Sequence, residues 1–361
     1  MAAKRYSVIE AIEHQAAGCE RAGSPLYGAL LRGLALDHRA GGVTAELLDG
    51  VSERPLHDAI PLRLLATGHR LALEGSASEL AGIYPSCGGV WDGDDPTPAF
   101  LRTVEGHRDE FVDGLGRTVQ TNEVGRAAVL TAGFCAIAGR HGTRVRAFEI
   151  GASAGLLSRW PSFGYDTGET RAGDPGSAVQ FGASWFRGPT LPRLRTDIEV
   201  VERAACDIAP VDAATSTGRL RMLSFLWPDQ LDRFDRLRMA LDVAADDPVT
   251  VDRADAGDWL AARLGADRPS RPVVTVVFHS IVWQYLSPST RDGVRSALRD
   301  TGSRPTGSQP VCWLRMEPAT PDHADLRLTT WDGSRTGDAG DPPDEVLAHV
   351  GYHGSDIRWL S

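Results

Sequence analysis

The feature that most constrains the fold is a change of texture at about Arg144. Before it, "SVIEAIEHQAAGCERA", "SPLYGALLRGLALDH", "TAELLDGV", "AIPLRLLATGHRLALEG", "PAFLRTVEGHRDEFVDGLG" and "EVGRAAVLTAGFCAIAGRHG" repeat apolar residues near the 3.6-residue helical period. No strand pattern of comparable length interrupts them, and Ser24-Pro25 and Thr97-Pro98 read as helix starts. After it come short apolar runs: "VRAFEI" (145–150), "LRMLSFLW" (220–227), "VTVDRA" (249–254), "VVTVVFHS" (273–280), "PVCWLRME" (310–317) and "ADLRLTTW" (324–331). Helical patterns such as "DQLDRFDRLRMALDVAA", "AGDWLAARLG" and "SPSTRDGVRSALRDTG" lie between the runs. Strands alternating with helices predict an open α/β sheet with helices on both faces.

The expected organisation is an α-helical region over 1–140 and an α/β domain over 141–361. Residues 161–219, rich in Gly, Pro, Asp and Arg, are too long for a plain crossover and read as an insertion. Residues 332–345 read as a polar connector.

Composition excludes several classes. A net charge of −10 argues against a nucleic-acid binder, whose nonspecific affinity is carried by Lys and Arg. No apolar run reaches the roughly 18–20 residues of a membrane helix, and the charged amphipathic start is unlike a signal peptide. A cytoplasmic protein is expected. The five cysteines form no C-x-x-C pair, which fits a reducing compartment. His349 and His353 stand four residues apart without a third ligand in view, so no metal set is read here.

"FEIGASAGLLSRW" (148–160) supports two chemistries. In the first, Glu149 ends a buried strand, Gly151 makes the tight turn, Ser153 lies within it and Gly155 lets a helix run close to the strand. Such a turn carries the methionine part of the cofactor in class I S-adenosylmethionine methyltransferases. Ligands of doubly wound sheets lie beyond the carboxyl ends of the strands, where an acid can hold a ribose. Asp229, following the run at 220–227, is expected at the ribose hydroxyls. Asp255, followed by Ala256, is expected at the adenine amino group. For each aspartate the alternative use is a helix N-cap.

In the second chemistry, Gly151, Ser153 and Gly155 spell G-x-S-x-G, with Ser153 the nucleophile of an α/β-hydrolase and His353 among its partners. That fold needs strands before the nucleophile, and residues 1–140 supply none.

"TNEVGR" (121–126), "FEIGASAGL" (148–156), "CDIAPVD" (206–212), "WPDQ" (227–230), "HSIVWQYL" (279–286) and "HGSDIRWL" (353–360) together resemble the bacterial domain of unknown function 2332 family over nearly the whole chain. The resemblance implies a Rossmann-like fold similar to class I methyltransferases and no established reaction. Leu157 stands where most members carry Asn.

Asn122 and Arg126 are expected on one helical face, with Arg126 paired to the cofactor carboxylate; the alternative is a capping Thr121 or Asn122 with Arg126 salt-bridged to the sheet. His279, at the end of the most apolar strand, reads either as a general base, with Tyr285 orienting substrate, or as a hydrogen-bonding partner of a neighbouring strand. Glu317 and His353 are weaker candidates of the same kind, and "ASWFRG" (183–188) in the insertion offers pocket-lining groups. The expectation is therefore an S-adenosylmethionine-dependent methyltransferase acting on a small-molecule acceptor. A cofactor-binding module without turnover is the alternative from another class.

Overall fold

The computed structural model describes residues 6–266, 271–303, 309–332 and 342–360. Most of the connector expected at 332–345 lies outside them. The helices are α1 (Val8–Arg21), α2 (Pro25–Arg39), α3 (Val43–Leu48), α4 (Ile60–Leu73), α5 (Ser78–Ile83), α6 (Thr97–Gly106), α7 (Arg108–Gly116), α8 (Ala127–His141), α9 (Ser216–Ser224), α10 (Leu231–Asp246), α11 (Ala256–Gly265) and α12 (Pro288–Gly302). The strands are β1 (Arg144–Ile150), β2 (Gly164–Asp166), β3 (Arg171–Gly173), β4 (Gln180–Phe181), β5 (Glu199–Asp207), β6 (Val251–Arg253), β7 (Val274–Ser280), β8 (Val311–Pro318), β9 (Ala324–Trp331), β10 (Glu345–Val350) and β11 (Arg358–Trp359).

The chain divides into two compact units, Met1–Thr121 with Thr215–Arg238, and Asn122–Ala214 with Met239–Ser361. In the first, α1, α2, α4, α6 and α7 bury an apolar core that includes Ile12, Leu30, Leu64, Phe100 and Phe111. Helix starts are fixed by local chemistry. Ser7 and Glu10 exchange side-chain and backbone hydrogen bonds in a capping box at α1. Ser24 caps α2 ahead of Pro25, as its sequence suggests.

The second unit is α/β, built on an eight-stranded sheet in the order β11-β10-β9-β8-β7-β1-β5-β6. Strands β6, β5, β1, β7 and β8 are parallel, and β9, β10 and β11 continue the sheet antiparallel. Alternation along the strands explains why helices cover both faces. Phe148, Val277 and Trp313 pack with Leu260 of α11 and Val294 and Leu298 of α12. Phe278 points the other way, its ring 5.2 Å from Phe134 of α8. Gly133 brings α8 close to that face, since a Cβ there would lie 2.7 Å from Leu314.

Two expectations are corrected. The run at 220–227, read as a strand, falls largely on helix α9. The parallel strand following β1 is instead β5, whose sequence "EVVERAACD" carries too many charges to look like a buried strand. The region 161–219 contains β5 and a separate three-stranded sheet, β3-β2-β4.

Candidate functional site at the carboxyl edge of the sheet

Strand order reverses at β1, because the chain goes from β1 to β5 on one side and later to β7 on the other. A crevice at such a reversal is where open α/β sheets bind ligands. The turn after β1 is tight, with Gly151 at φ +67°, Ser153 at φ +54° and Gly155 at φ +67°. Beside it, Ile281 after β7 adopts φ +50°. A β-branched residue in the left-handed region costs on the order of 1–3 kcal/mol and persists only where its surroundings enforce it. Here the Ile281 amide donates to the Met316 carbonyl at 2.9 Å. The two turns interlock, since a Cβ on Gly151 would lie 2.2 Å from the Val282 side chain.

The glycine turn is closed by the protein's own groups. The Ala152 amide donates to Cys206 O (3.0 Å), Ser153 N to Asp207 Oδ2 (2.8 Å), Gly155 N to Ala152 O (2.7 Å) and Leu156 N to Asn122 Oδ1 (2.8 Å). No α-helix follows. The expected helix start is a 3-10 helix over Leu157–Ser162 with Pro161 inside it, so the amide cluster of an α-helical N-terminus is missing. Glu149 is buried at the end of β1 and accepts from Ser158 Oγ at 2.6 Å. Burial pushes its carboxyl up to about 8.

Asn122 and Arg126 do not share a helical face as expected, because only Val124–Arg126 is helical and Asn122 precedes it. Both are buried near the turn. Arg126 donates from Nε to Tyr352 O (3.1 Å) and from Nη1 to Ser280 O (3.5 Å).

Asp229 is not at a strand end. It follows α9 in the helical unit and accepts from Ser24 Oγ (2.6 Å) and Leu26 N (3.1 Å), tying down the start of α2. Asp255 does follow a strand, β6, and is the N-cap of α11. Its Oδ1 accepts from Gly257 N at 2.8 Å and Asp258 N at 3.4 Å, and its Oδ2 takes the Thr290 hydroxyl. Ala256 opens that helix and packs into the core under the sheet. The residue that sequence reading missed is Asp207, at the carboxyl end of β5. Its "CDIAPVD" context was visible, but the misplaced strand pointed to Asp229.

The β7 end has different chemistry. His279 is fully buried, and its Nδ1 lies 2.7 Å from Glu317 Oε1, which also accepts from Val282 N and Trp283 N. Its ring stacks on Trp283 and tilts against Trp313. On the His279 face, His279 Nε2, Glu317 Oε2 and Trp313 Nε1 are buried without a hydrogen-bond partner. Buried polar groups are nearly always paired, so these three orphans on one face at the β7 end leave room for a polar guest or water. Tyr285 is 52% exposed in the adjoining 3-10 turn. His353 lies 3.6 Å from Glu123.

No helix among the described residues is long and apolar enough to cross a membrane. No curated protein and no solved structure matches the chain. A family model matches residues 9–359, and the chain accordingly belongs to the family described as an uncharacterized protein conserved in bacteria (DUF2332).

Proposed function

We propose that the sheet unit binds S-adenosylmethionine at the carboxyl edge beside β1 and transfers its methyl group to a small acceptor. The observation that carries this reading is the reversal of strand order at β1 together with a carboxylate, Asp207, at the end of the next strand. A carboxylate has about four acceptor positions. Asp207 uses one on each oxygen, for Ser153 N and Ala209 N, which leaves room for the two hydroxyls of a ribose. At the nucleoside end the residues therefore fit.

At the methionine end they do not. The turn amides are taken, the space over Gly151 is filled by Val282, and Arg126 faces backbone carbonyls. What the chain itself offers is a base, an imidazole whose Nδ1 is held by Glu317 and whose Nε2 is unpaired, able to take a proton from an acceptor hydroxyl or amine.

Calorimetry and thermal melts with S-adenosylmethionine and its demethylated product test the reading. Both ligands should raise the melting midpoint, since they bind only the folded chain. Asp207→Ala should weaken them about tenfold or more, whereas Asp229→Ala should not. No binding of either ligand at millimolar concentration overturns it. Binding without product in a pool of small metabolites favours the non-catalytic module.

One observation favours a second reading. The φ of +54° at Ser153 is that of a nucleophile on a strained turn. The α-helix that such an elbow needs is missing, however, and we expect no activity on generic acyl esters. An esterase activity abolished by Ser153→Ala would reverse the order of the two readings.

A further inference from the structure

We propose that His323, Asp325 and His349 form a binding site for one divalent transition-metal cation, zinc in the first instance, on the antiparallel side of the sheet. The site is independent of the cofactor reading above.

Strand register builds it. His349 of β10 lies directly opposite Asp325 of β9, and His323, in the turn just before β9, brings its Nε2 to the same carboxylate. The donor atoms converge. His349 Nδ1 is 2.8 Å and His323 Nε2 3.6 Å from the same oxygen, Asp325 Oδ1, and all three lie within 4.8 Å of one another. A tetrahedral zinc ion with bonds of about 2.0–2.2 Å separates its ligands by roughly 3.3–3.5 Å. The observed spacings straddle that value, so small side-chain rotations would admit the ion.

Surrounding groups orient the ligands as outer-shell partners of metal sites do. Arg327 Nη2 holds Asp325 Oδ2 at 2.6 Å, which leaves Oδ1 for the ion. Thr320 Oγ1 lies 2.9 Å from His323 Nδ1 and accepts the amides of Asp322 and His323, which fixes the turn that presents the ring. With its lone pairs taken by those amides, the Thr320 hydroxyl donates to Nδ1, so Nε2 carries the proton that an incoming ion would displace. Asp325 is buried, while the side chains of His323 and His349 are 33% and 41% exposed. Solvent can therefore supply a fourth ligand, the arrangement of three protein groups and one open position. Two imidazoles and one carboxylate suit zinc and its neighbours, and magnesium and calcium, which prefer oxygen cages, far less. Glu317 lies opposite Asp325 on β8, so the site is one strand away from the His279 pair.

The competing account is a hydrogen-bonded His-Asp-His cluster that takes up no ion. Full-length protein stripped with a chelator and titrated calorimetrically with zinc chloride separates the two. One equivalent of zinc should bind and magnesium chloride should give no heat. His323→Gln and His349→Gln should each weaken zinc at least tenfold while the metal-free melting midpoint stays put. Cobalt(II) should give the intense visible absorption of a tetrahedral site, lost in His349→Gln. Failure of the stripped protein to take up zinc, or uptake unchanged in both variants, overturns the proposal. The histidine variants carry the test even where Asp325→Ala does not fold.

Discussion

Two histidines, one in each unit, are equally inaccessible to solvent yet differently used. His69 in the helical unit is 0% exposed and satisfied on both nitrogens. Its Nδ1 meets the Ser224 and Leu226 carbonyls at 3.2 and 2.9 Å, and its Nε2 meets Ser86 Oγ at 2.7 Å. Burial pulls its protonation down to about 4, so it is a neutral hydrogen-bonding piece of the core. His279 at the sheet edge is also 0% exposed, but one nitrogen is bound to a carboxylate and the other to nothing. Burial alone does not distinguish the two histidines; the unpaired Nε2 does, and the proposed role of His279 as a base rests on it.

The largest effect should come from His69→Ala, which opens a cavity and strands three partners, at a cost on the order of 4 kcal/mol. Urea midpoints read this, and ligand binding to the sheet unit should be unchanged. If His69→Ala were instead mild, the contrast between the two histidines would fail.

Glu149→Gln should act next, through pH. The folded carboxyl titrates at about 8 against an unfolded value of 4.5, so the folded chain holds the extra proton between them. Stability from this group is complete below about 4.5 and is lost as pH rises to about 8, by at most a few kcal/mol. Glu149→Gln should flatten that slope in melts taken from acid to mildly alkaline pH. Glu317→Ala removes the acceptor of His279, Val282 N and Trp283 N and should cost about 2 kcal/mol by denaturant titration. Asp229→Ala should cost about 1 kcal/mol, the size of a lost helix cap. Tyr285→Phe, on an exposed ring, should stay within about 0.5 kcal/mol.

Much of this architecture was legible because its signals are local. The helical patterns before Arg144 correspond to α1–α4 and α6–α8, one of them covering both α6 and α7, while α5 lies in none of them, and the runs at 145–150 and 273–280 are β1 and β7. Legibility failed where long-range pairing outweighs local pattern. β5 is parallel-paired on both sides, to β1 and β6, yet carries Glu199, Glu202, Arg203 and Asp207 among its nine residues. Those charges find partners across the sheet, as Arg146 does with Glu202 at 2.7 Å, so the strand lacks an apolar signature. "LRMLSFLW" has that signature and is mostly helix. One exchanged strand put the expected ribose acid at Asp229, away from the strand end that Asp207 occupies. The His323, Asp325 and His349 set was hidden for a related reason. Asp325 and His349 are joined by register between β9 and β10, with His323 in the turn before β9, whereas spacing along the chain pointed to His349 with His353.

The helical unit takes its residues from two stretches of sequence, with 93 positions of the other unit, 122–214, between them. That interruption has a consequence for how the chain folds. Asp229 reaches Ser24 across 205 positions and Leu226 reaches His69 across 157, so these contacts close very long loops. Long closures cost conformational entropy before any contact rewards them, and they slow folding. On the ribosome the first 121 residues emerge long before the segment that satisfies His69 and anchors α2. A fragment ending at Thr121 therefore carries buried donors whose acceptors have yet to be made.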